Sequence, residues 1–244
     1  MTVPSVVLFD LDDTLFAHQR SVRLGITAQR AAHGGDLAAA DAVAELNRWH
    51  ALEEHHYVRY LEGELGFLEQ RRVRARDFVA PFGVDLASDA DADRWFDGYR
   101  AEYERSWSLH DDTLRCLDAL SAAGVRIGII TNGDISFQKV KIDRVGLSSR
   151  VEHVIASGEL GFAKPDPRIF EYACVRFEVS PADAIYVGDR LRTDAIGAAD
   201  AGLTGVWLNR GNDATDDEFE AARASGVLVI GSLAGLPALL APSR

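Results

Sequence analysis

The sequence predicts an α/β fold in which a parallel-sheet core is interrupted by an all-helical insertion. Two observations predict this architecture. Short apolar runs rich in β-branched residues alternate with helical patterns over most of the chain, as in βαβ units. One long stretch between the first two apolar runs has helical periodicity and no convincing strand pattern. We therefore expect an α/β core made of residues 1–16 and 109–244, with residues 17–108 inserted after the first strand.

Six short apolar runs are the candidate strands, and each ends at a polar residue or a glycine. The runs are Val6–Phe9, Val125–Ile130, Val154–Ala156, Ala184–Val187, Gly205–Leu208 and Val227–Ile230. Continuous apolar runs of this length are typical of strands buried on both faces of a parallel sheet. Helical patterns at Thr113–Ala123, Pro167–Phe177 and Thr193–Ala201 lie between them, and they predict right-handed crossovers.

The insertion contains five amphipathic segments with helical spacing of their apolar residues. These segments are Arg20–Ala32, Leu37–Trp49, His50–Leu61, Glu69–Phe78 and Asp91–Tyr103. Because such segments must bury their apolar faces against one another, the insertion is predicted to form a helical domain of its own.

Composition and charge limit the classes of partner. The 244 residues are 47% apolar and 26% charged, and the formal net charge is −12. An acidic surface of this kind repels nucleic-acid phosphates and anionic lipid, so neither partner is expected. No window approaches the ~18 apolar residues of a membrane helix, and we expect a cytoplasmic protein. The sequence contains only two cysteines, Cys116 and Cys174, which are too few for a disulfide framework. Both are expected to be core thiols. The oligomeric state is not predicted.

Polar residues follow the predicted strands, at the edge of a parallel sheet where ligands usually bind. They are Asp10, Asp12, Thr131, Asn132, Asp189 and Asp194. Asp10 and Asp12 are two positions apart, so in an extended chain both side chains point the same way. Repulsion would protonate one of them unless a cation is present, and oxygen ligands favour Mg²⁺. On its own, the pair favours a turn or a helix cap after the strand over a functional site.

Four segments in order resemble the motifs of the haloacid dehalogenase-like (HAD) hydrolase superfamily. Phe9–Leu15 resembles its DxDxT signature, and Ile130–Gly133 resembles its second motif. Lys164–Phe170 resembles the lysine motif, and Gly188–Asp194 resembles the acidic fourth motif. The resemblance implies a Rossmann-like parallel sheet core with an inserted all-α cap of the C1 type, formed by residues 17–108.

The resemblance also implies catalytic and phosphate-binding residues. Asp10 is expected to be the nucleophile that forms an aspartyl-phosphate. Asp12 is expected to protonate the leaving oxygen and then to accept a proton from the hydrolytic water. Thr131, the backbone amide of Asn132, and Lys164 are expected to bind the phosphoryl oxygens.

A magnesium site is implied by the same resemblance. Its expected ligands are the side chains of Asp10 and Asp189 and the backbone carbonyl of Asp12. Asp194 is expected to orient the metal-bound waters or the lysine of the third motif. In this arrangement Mg²⁺ neutralises charge, so that one anion can approach another.

The second aspartate narrows the expected activity. Haloacid dehalogenases lack an aspartate at the position of Asp12, because a departing halide needs no proton, and phosphonatases also replace that residue and add a cap lysine. The sequence therefore predicts a phosphomonoesterase acting on a small phosphorylated metabolite, resembling the nucleotidase and flavin-pathway phosphatase branch. Two alternatives stay open: a β-phosphoglucomutase-like phosphotransferase, and a non-catalytic phospho-ligand binding module on the same fold.

Overall fold

The computed structural model describes residues 4–240, which divide into two compact units. One unit combines the described residues up to Ala17 with those from Ser108 onward, and the other is His18–Trp107. The first unit has α/β architecture, whereas His18–Trp107 contains only helices and their connections. Among the described residues, no helix is long and apolar enough to cross a membrane.

The sheet of the first unit has six parallel strands in the order β3-β2-β1-β4-β5-β6. The strands are β1 Val6–Phe9, β2 Arg126–Thr131, β3 His153–Ala156, β4 Ala184–Gly188, β5 Thr204–Leu208 and β6 Leu228–Ile230. The predicted α/β class is confirmed, and each predicted strand is present. β1 is central: Val6 pairs with Arg126 on one side and with Ala184 on the other. The carboxyl ends of β1, β2 and β4 are therefore neighbours.

The helical unit contains five α-helices within His18–Trp107. They are α1 His18–His33, α2 Gly35–Ala39, α3 Ala42–Leu61, α4 Phe67–Val79 and α5 Asp89–Arg105. Their core is aromatic, because the buried ring of Trp49 contacts Phe78 at 5.0 Å and Tyr99 at 4.6 Å between centroids.

One prediction inside this unit is wrong. The segments Leu37–Trp49 and His50–Leu61 were expected to be separate helices, but the second half of the first segment and all of the second form the single helix α3. The break comes earlier, where the Asp41 carboxylate accepts hydrogen bonds from the amides of Val43 and Ala44. This side-chain cap starts α3, and no glycine or proline interrupts it afterwards.

Seven helices of the α/β unit lie within its described residues. They are α6 Thr113–Ala122, α7 Ile135–Arg144, α8 Ser157–Leu160, α9 Pro167–Phe177, α10 Gly197–Asp200, α11 Asp216–Ala224 and α12 Leu236–Leu239. Part of the core lies between α9 and the sheet, where Phe170 and Phe177 pack with Leu8 and Tyr186. Cys116 and Cys174 are buried free thiols, as predicted.

Candidate active site

Asp10 and Asp12 lie on the chain segment that leaves the central strand. The amide of Asp10 still bonds to the carbonyl of Val187 on β4, at 2.9 Å. The chain then turns sharply, because Asp13 has a left-handed φ of 59° and the amide of Phe16 bonds back to the carbonyl of Leu11 at 2.9 Å. Aspartate tolerates this conformation better than most residues. The turn holds both carboxylates at the end of β1.

Lys164 lies at the centre of a buried polar cluster. Its Nζ donates hydrogen bonds to Oδ1 of Asp10 at 2.6 Å, to Oδ1 of Asp194 at 2.7 Å and to the hydroxyl of Tyr186 at 2.8 Å. A lysine ammonium ion has three hydrogens to donate, so all three are engaged. In this arrangement Lys164 orients the predicted nucleophile, and a bond to a phosphoryl oxygen must replace one of the three contacts.

Burial and mutual repulsion raise the pKa values of two carboxylates in this cluster. Burial, together with the nearby carboxylates of Asp194 and Asp12, raises the pKa of Asp10 to about 7, although Lys164 opposes the rise. Burial and the charge of Asp10 raise the pKa of Asp189 to about 8. For Lys164, burial alone would lower the pKa, but the charges of Asp10 and Asp194 outweigh it and raise the pKa above its usual value.

These residues fit a divalent cation. Carboxylate oxygens of Asp10, Asp189 and Asp194 lie within 4.8 Å of one another. Both carboxylate oxygens of Asp194 already accept hydrogen bonds. Oδ1 accepts from Nζ of Lys164 and from the hydroxyl of Tyr186, and Oδ2 accepts from the amide of Arg190. Within residues 4–240, the Asp189 carboxylate accepts no hydrogen bond. Asp10 and Asp189 are thus the side chains best placed to bind a hard cation, which would lower their raised pKa values.

Thr131 is the last residue of β2, and Asn132 follows it beside this cluster. The side chain of Asn132 forms a reciprocal pair with the backbone of Lys164: Nδ2 donates to the carbonyl at 3.0 Å, and Oδ1 accepts from the amide at 2.9 Å. Asn132 therefore fixes the segment that carries the lysine, a role that sequence reasoning missed. The hydroxyl of Thr131 accepts a hydrogen bond from Nε2 of Gln138 at 2.9 Å.

Asp12 forms an ion pair with a second lysine, Lys141, which sequence reasoning also missed. Nζ of Lys141 lies 2.6 Å from Oδ1 of Asp12, and Nε2 of Gln138 lies 3.3 Å from Oδ2. Both partners belong to α7, a helix that was not predicted. The available signal was Asp134, whose carboxylate accepts from the amide of Phe137 and caps the helix.

The acidic fourth motif departs from the predicted local structure. Thr193–Ala201 was expected to be one α-helix, but Leu191–Ile196 is a π-helical turn that precedes α10. The turn contains Asp194, whose amide donates a hydrogen bond to the carbonyl of Arg190 at 2.9 Å. Gly188 is required next to it, since a Cβ there would lie 2.4 Å from Cβ of Asp194. Such π-turns are frequent at functional sites.

A family model described as haloacid dehalogenase-like hydrolase matches residues 4–202. The chain belongs to the HAD hydrolase family. This HAD hydrolase is 36% identical over 114 residues to the phosphoserine phosphatase of Thermus thermophilus, a match that covers 47% of this chain and 46% of that protein. It therefore spans about half the length of that relative.

Two further relatives are matched over most of their length. A glyceraldehyde 3-phosphate phosphatase of Methanopyrus kandleri is 29% identical over 91% of this chain and 94% of its own. An (S)-2-haloacid dehalogenase of a Pseudomonas species is 29% identical over 85% of this chain and 87% of its own. Both activities thus occur among similar proteins.

Solved structures of HAD hydrolases share the fold of this chain. The structure of a magnesium-bound HAD hydrolase from Bacillus subtilis superposes with a TM-score of 0.76 at 21% identity. The match covers 97% of this chain and 98% of that one.

Proposed function

We propose that this HAD hydrolase is a Mg²⁺-dependent phosphomonoesterase that acts on a small phosphorylated metabolite through an aspartyl-phosphate. The observation that carries the proposal is the second aspartate: Asp12 is present two residues after Asp10, and its carboxylate is held by Lys141 at 2.6 Å. An ester oxygen leaves as an alcohol only when it receives a proton. A halide needs none, so the retained and supported Asp12 favours a phosphatase over a dehalogenase.

In the first half of the proposed reaction, an oxygen of the Asp10 carboxylate attacks phosphorus in line with the ester bond. The bond between phosphorus and the ester oxygen breaks, and its electron pair stays on that oxygen. Asp12 donates its proton there, which releases an alcohol and leaves phosphate esterified to Asp10. Lys164 holds the attacking carboxylate in one orientation through its 2.6 Å contact.

In the second half, water attacks the phosphorus of the aspartyl-phosphate and gives its proton to the Asp12 carboxylate. The bond between phosphorus and Asp10 breaks, its electron pair returns to the carboxylate, and inorganic phosphate is released. Asp12 then holds the proton that the next ester requires. Thr131 and the amide of Asn132 are proposed to hold the phosphoryl oxygens through both halves.

The proposed ligands of Mg²⁺ are the side chains of Asp10 and Asp189 and the backbone carbonyl of Asp12. When bound, the ion supplies charge neutralisation for the approach of two anions. Asp194 acts through Lys164, whose ammonium ion it binds at 2.7 Å. The helical insertion, residues 17–108, is proposed to be the cap that selects the leaving group.

The test is a substrate panel with purified protein and Mg²⁺. The panel contains phosphoserine, glyceraldehyde 3-phosphate, a nucleoside monophosphate, flavin mononucleotide and β-glucose 1-phosphate, with phosphate release as the readout. We expect release from at least one ester, and its loss in Asp10→Asn but not in Asp217→Asn, a control on the exposed face of α11.

Two further assays address the alternatives. Formation of glucose 6-phosphate without net phosphate release would support a phosphotransferase. Chloride release from (S)-2-chloropropionate without hydrolysis of any ester would contradict the proposal in favour of a dehalogenase. Binding of esters with no turnover would indicate a non-catalytic module.

A further inference from the structure

Lys141 is a buried cation that none of the sequence motifs contains. Its side chain is 2% exposed, and Nζ lies 2.6 Å from Oδ1 of Asp12, whose side chain is 30% exposed. Within residues 4–240, Asp12 is the only carboxylate within ion-pair distance of Lys141. Burying an ammonium ion is costly unless it is paired, and an apolar side chain of similar volume is often at least as stable. The lysine therefore calls for an explanation beyond packing.

The same helix also holds the second oxygen of Asp12. Gln138 precedes Lys141 by three residues, so the two side chains share one face of α7. Its Nε2 lies 3.3 Å from Oδ2 of Asp12 and 2.9 Å from the hydroxyl of Thr131. Each oxygen of the Asp12 carboxylate thus has its own donor, and the side chain is held in one orientation.

Two aromatic rings also lie near the ammonium ion of Lys141. Nζ of Lys141 lies 4.7 Å from the ring centroid of Phe16 and 5.4 Å from that of Phe137. These distances are within the range of cation–π attraction. Phe16 belongs to the turn that follows Asp12, so the contact also ties the lysine to the segment that it supports.

We propose that Lys141 is a positioning residue for Asp12, holding its carboxylate in the orientation that accepts a proton from the hydrolytic water. This inference rests on the proposed phosphatase function and extends it to a residue outside the motifs. Lys141 donates to Asp12 and does not itself contact the substrate.

The hydrolysis of the aspartyl-phosphate is the step that this arrangement supports. The water oxygen forms a bond to phosphorus while one water proton moves to the Asp12 carboxylate. The bond from phosphorus to Asp10 breaks, and its electrons return to the Asp10 carboxylate. The Asp12 carboxylate can take the proton only when it is oriented toward the attacking water. Loss of Lys141 should therefore slow this step more than it slows formation of the intermediate from a good leaving group.

The test is pre-steady-state hydrolysis of p-nitrophenyl phosphate at saturating Mg²⁺, with the wild type, Lys141→Met, Asp12→Asn and the double variant. We expect Lys141→Met to lower the rate of intermediate hydrolysis about tenfold or more, so that a burst of nitrophenol appears. The burst rate should stay within about threefold of wild type. In the Asp12→Asn background, Lys141→Met should have no further effect, because the side chain that it positions no longer acts.

Lys139→Met is the matched control, since Lys139 is an exposed lysine on the same helix, and it should behave as wild type. Thermal unfolding verifies the fold of each variant, and Lys141→Gln replaces Lys141→Met if the latter does not fold. Equal slowing by the Lys141 substitution in the presence and absence of the Asp12 carboxylate would assign Lys141 a purely structural role and overturn the inference. Unchanged intermediate hydrolysis would overturn it as well. A wild-type protein without ester hydrolysis would instead overturn the proposed function itself.

Discussion

The hydroxyl of Tyr186 lies 2.8 Å from Nζ of Lys164, in the fully buried interior between β4 and the lysine motif. The same hydroxyl is within hydrogen-bond distance of the carbonyl of Ile130, at 3.1 Å, and of Oδ1 of Asp194, at 3.2 Å. Tyr186 thus connects the end of β2, the lysine and the acidic motif. Lys164 is aligned toward Asp10 by the carboxylate of Asp194 and the phenol of Tyr186.

Tyr186→Phe tests the contribution of this phenol. The substitution keeps the ring but leaves Nζ of Lys164 with one partner fewer, so the lysine is less strictly oriented. We expect kcat for a phosphate ester to fall about tenfold, the scale of lost supporting contacts at metal sites. The free energy of unfolding should drop by about 1–3 kcal/mol. Tyr172→Phe, which alters a 39% exposed tyrosine on α9, should change neither quantity.

Asp12→Asn should separate the two halves of the proposed reaction. With p-nitrophenyl phosphate, whose leaving group needs little protonation, the intermediate should still form and then accumulate. With an alkyl or sugar phosphate, formation itself should slow by about 10²–10⁴. Rapid-quench measurement of nitrophenol and alcohol release compares the two esters. The same slowing for both leaving groups would contradict the role of Asp12 as general acid.

Removal of divalent metal should abolish ester hydrolysis. Burial raises the pKa values of Asp10 and Asp189 to about 7 and about 8, so without a cation these carboxylates repel an incoming phosphate or become protonated. EDTA followed by gel filtration should inactivate the protein, and Mg²⁺ should restore activity and raise the unfolding temperature. In Asp189→Asn, half-maximal recovery should require a higher Mg²⁺ concentration. Full activity in metal-free protein would contradict the proposed site.

Glu53→Gln should destabilise the helical unit in a pH-dependent manner. The Glu53 carboxylate lies 2.5 Å from Nη1 of Arg74, whose side chain is 6% exposed. Burial alone would raise the pKa of Glu53, but Arg74 and His18 outweigh it and hold the pKa well below its usual range. Without the carboxylate, a buried guanidinium ion loses its partner, and we expect a loss of about 3 kcal/mol at pH 7.

The sign of the pH effect follows from the lowered pKa of Glu53. The stabilisation is complete above the ordinary glutamate pKa of about 4.3, and it is lost as the pH falls through the lower folded-state value. The difference in unfolding free energy between wild type and Glu53→Gln should therefore shrink below about pH 4. Urea titrations at pH 7 and pH 3.5 measure it, with the exposed Glu62→Gln as control. A pH-independent difference would indicate that ionisation of Glu53 is unimportant.

The sheet could be predicted from sequence because its strands are uninterrupted apolar runs that end at polar residues. Strand β4 illustrates both the strength and the limit of this reasoning. Its run Ala184–Val187 identifies a buried strand, and Gly188 and Asp189 follow it. Tyr186, however, reads as one more core residue in that run, since its hydroxyl partners lie on distant segments. The sequence around a tyrosine in an apolar run does not reveal which groups its hydroxyl will contact.

A long-range pair explains why Lys141 was missed. Lys141 and Asp12 are 129 positions apart in sequence, and the lysine looks like an ordinary member of an amphipathic helix. The π-helical turn that contains Asp194 was missed for a local reason. It depends on the glycine at 188, which leaves room for the carboxylate, and helical periodicity cannot distinguish a π-turn from an α-turn.

The central position of β1 affects the order in which this protein can assemble on the ribosome. β1, which leads to Asp10, is synthesised before the helical unit, yet both of its neighbouring strands, β2 and β4, are made only after that whole unit. A nascent chain that ends before Gly188 lacks Asp189 and Asp194, which lie beside the carboxylate of Asp10. All segments of the helical unit are available once it has emerged, whereas the sheet requires contacts of high sequence separation, which form slowly. Truncated translation products would therefore carry the aspartate pair without the surroundings that make it reactive.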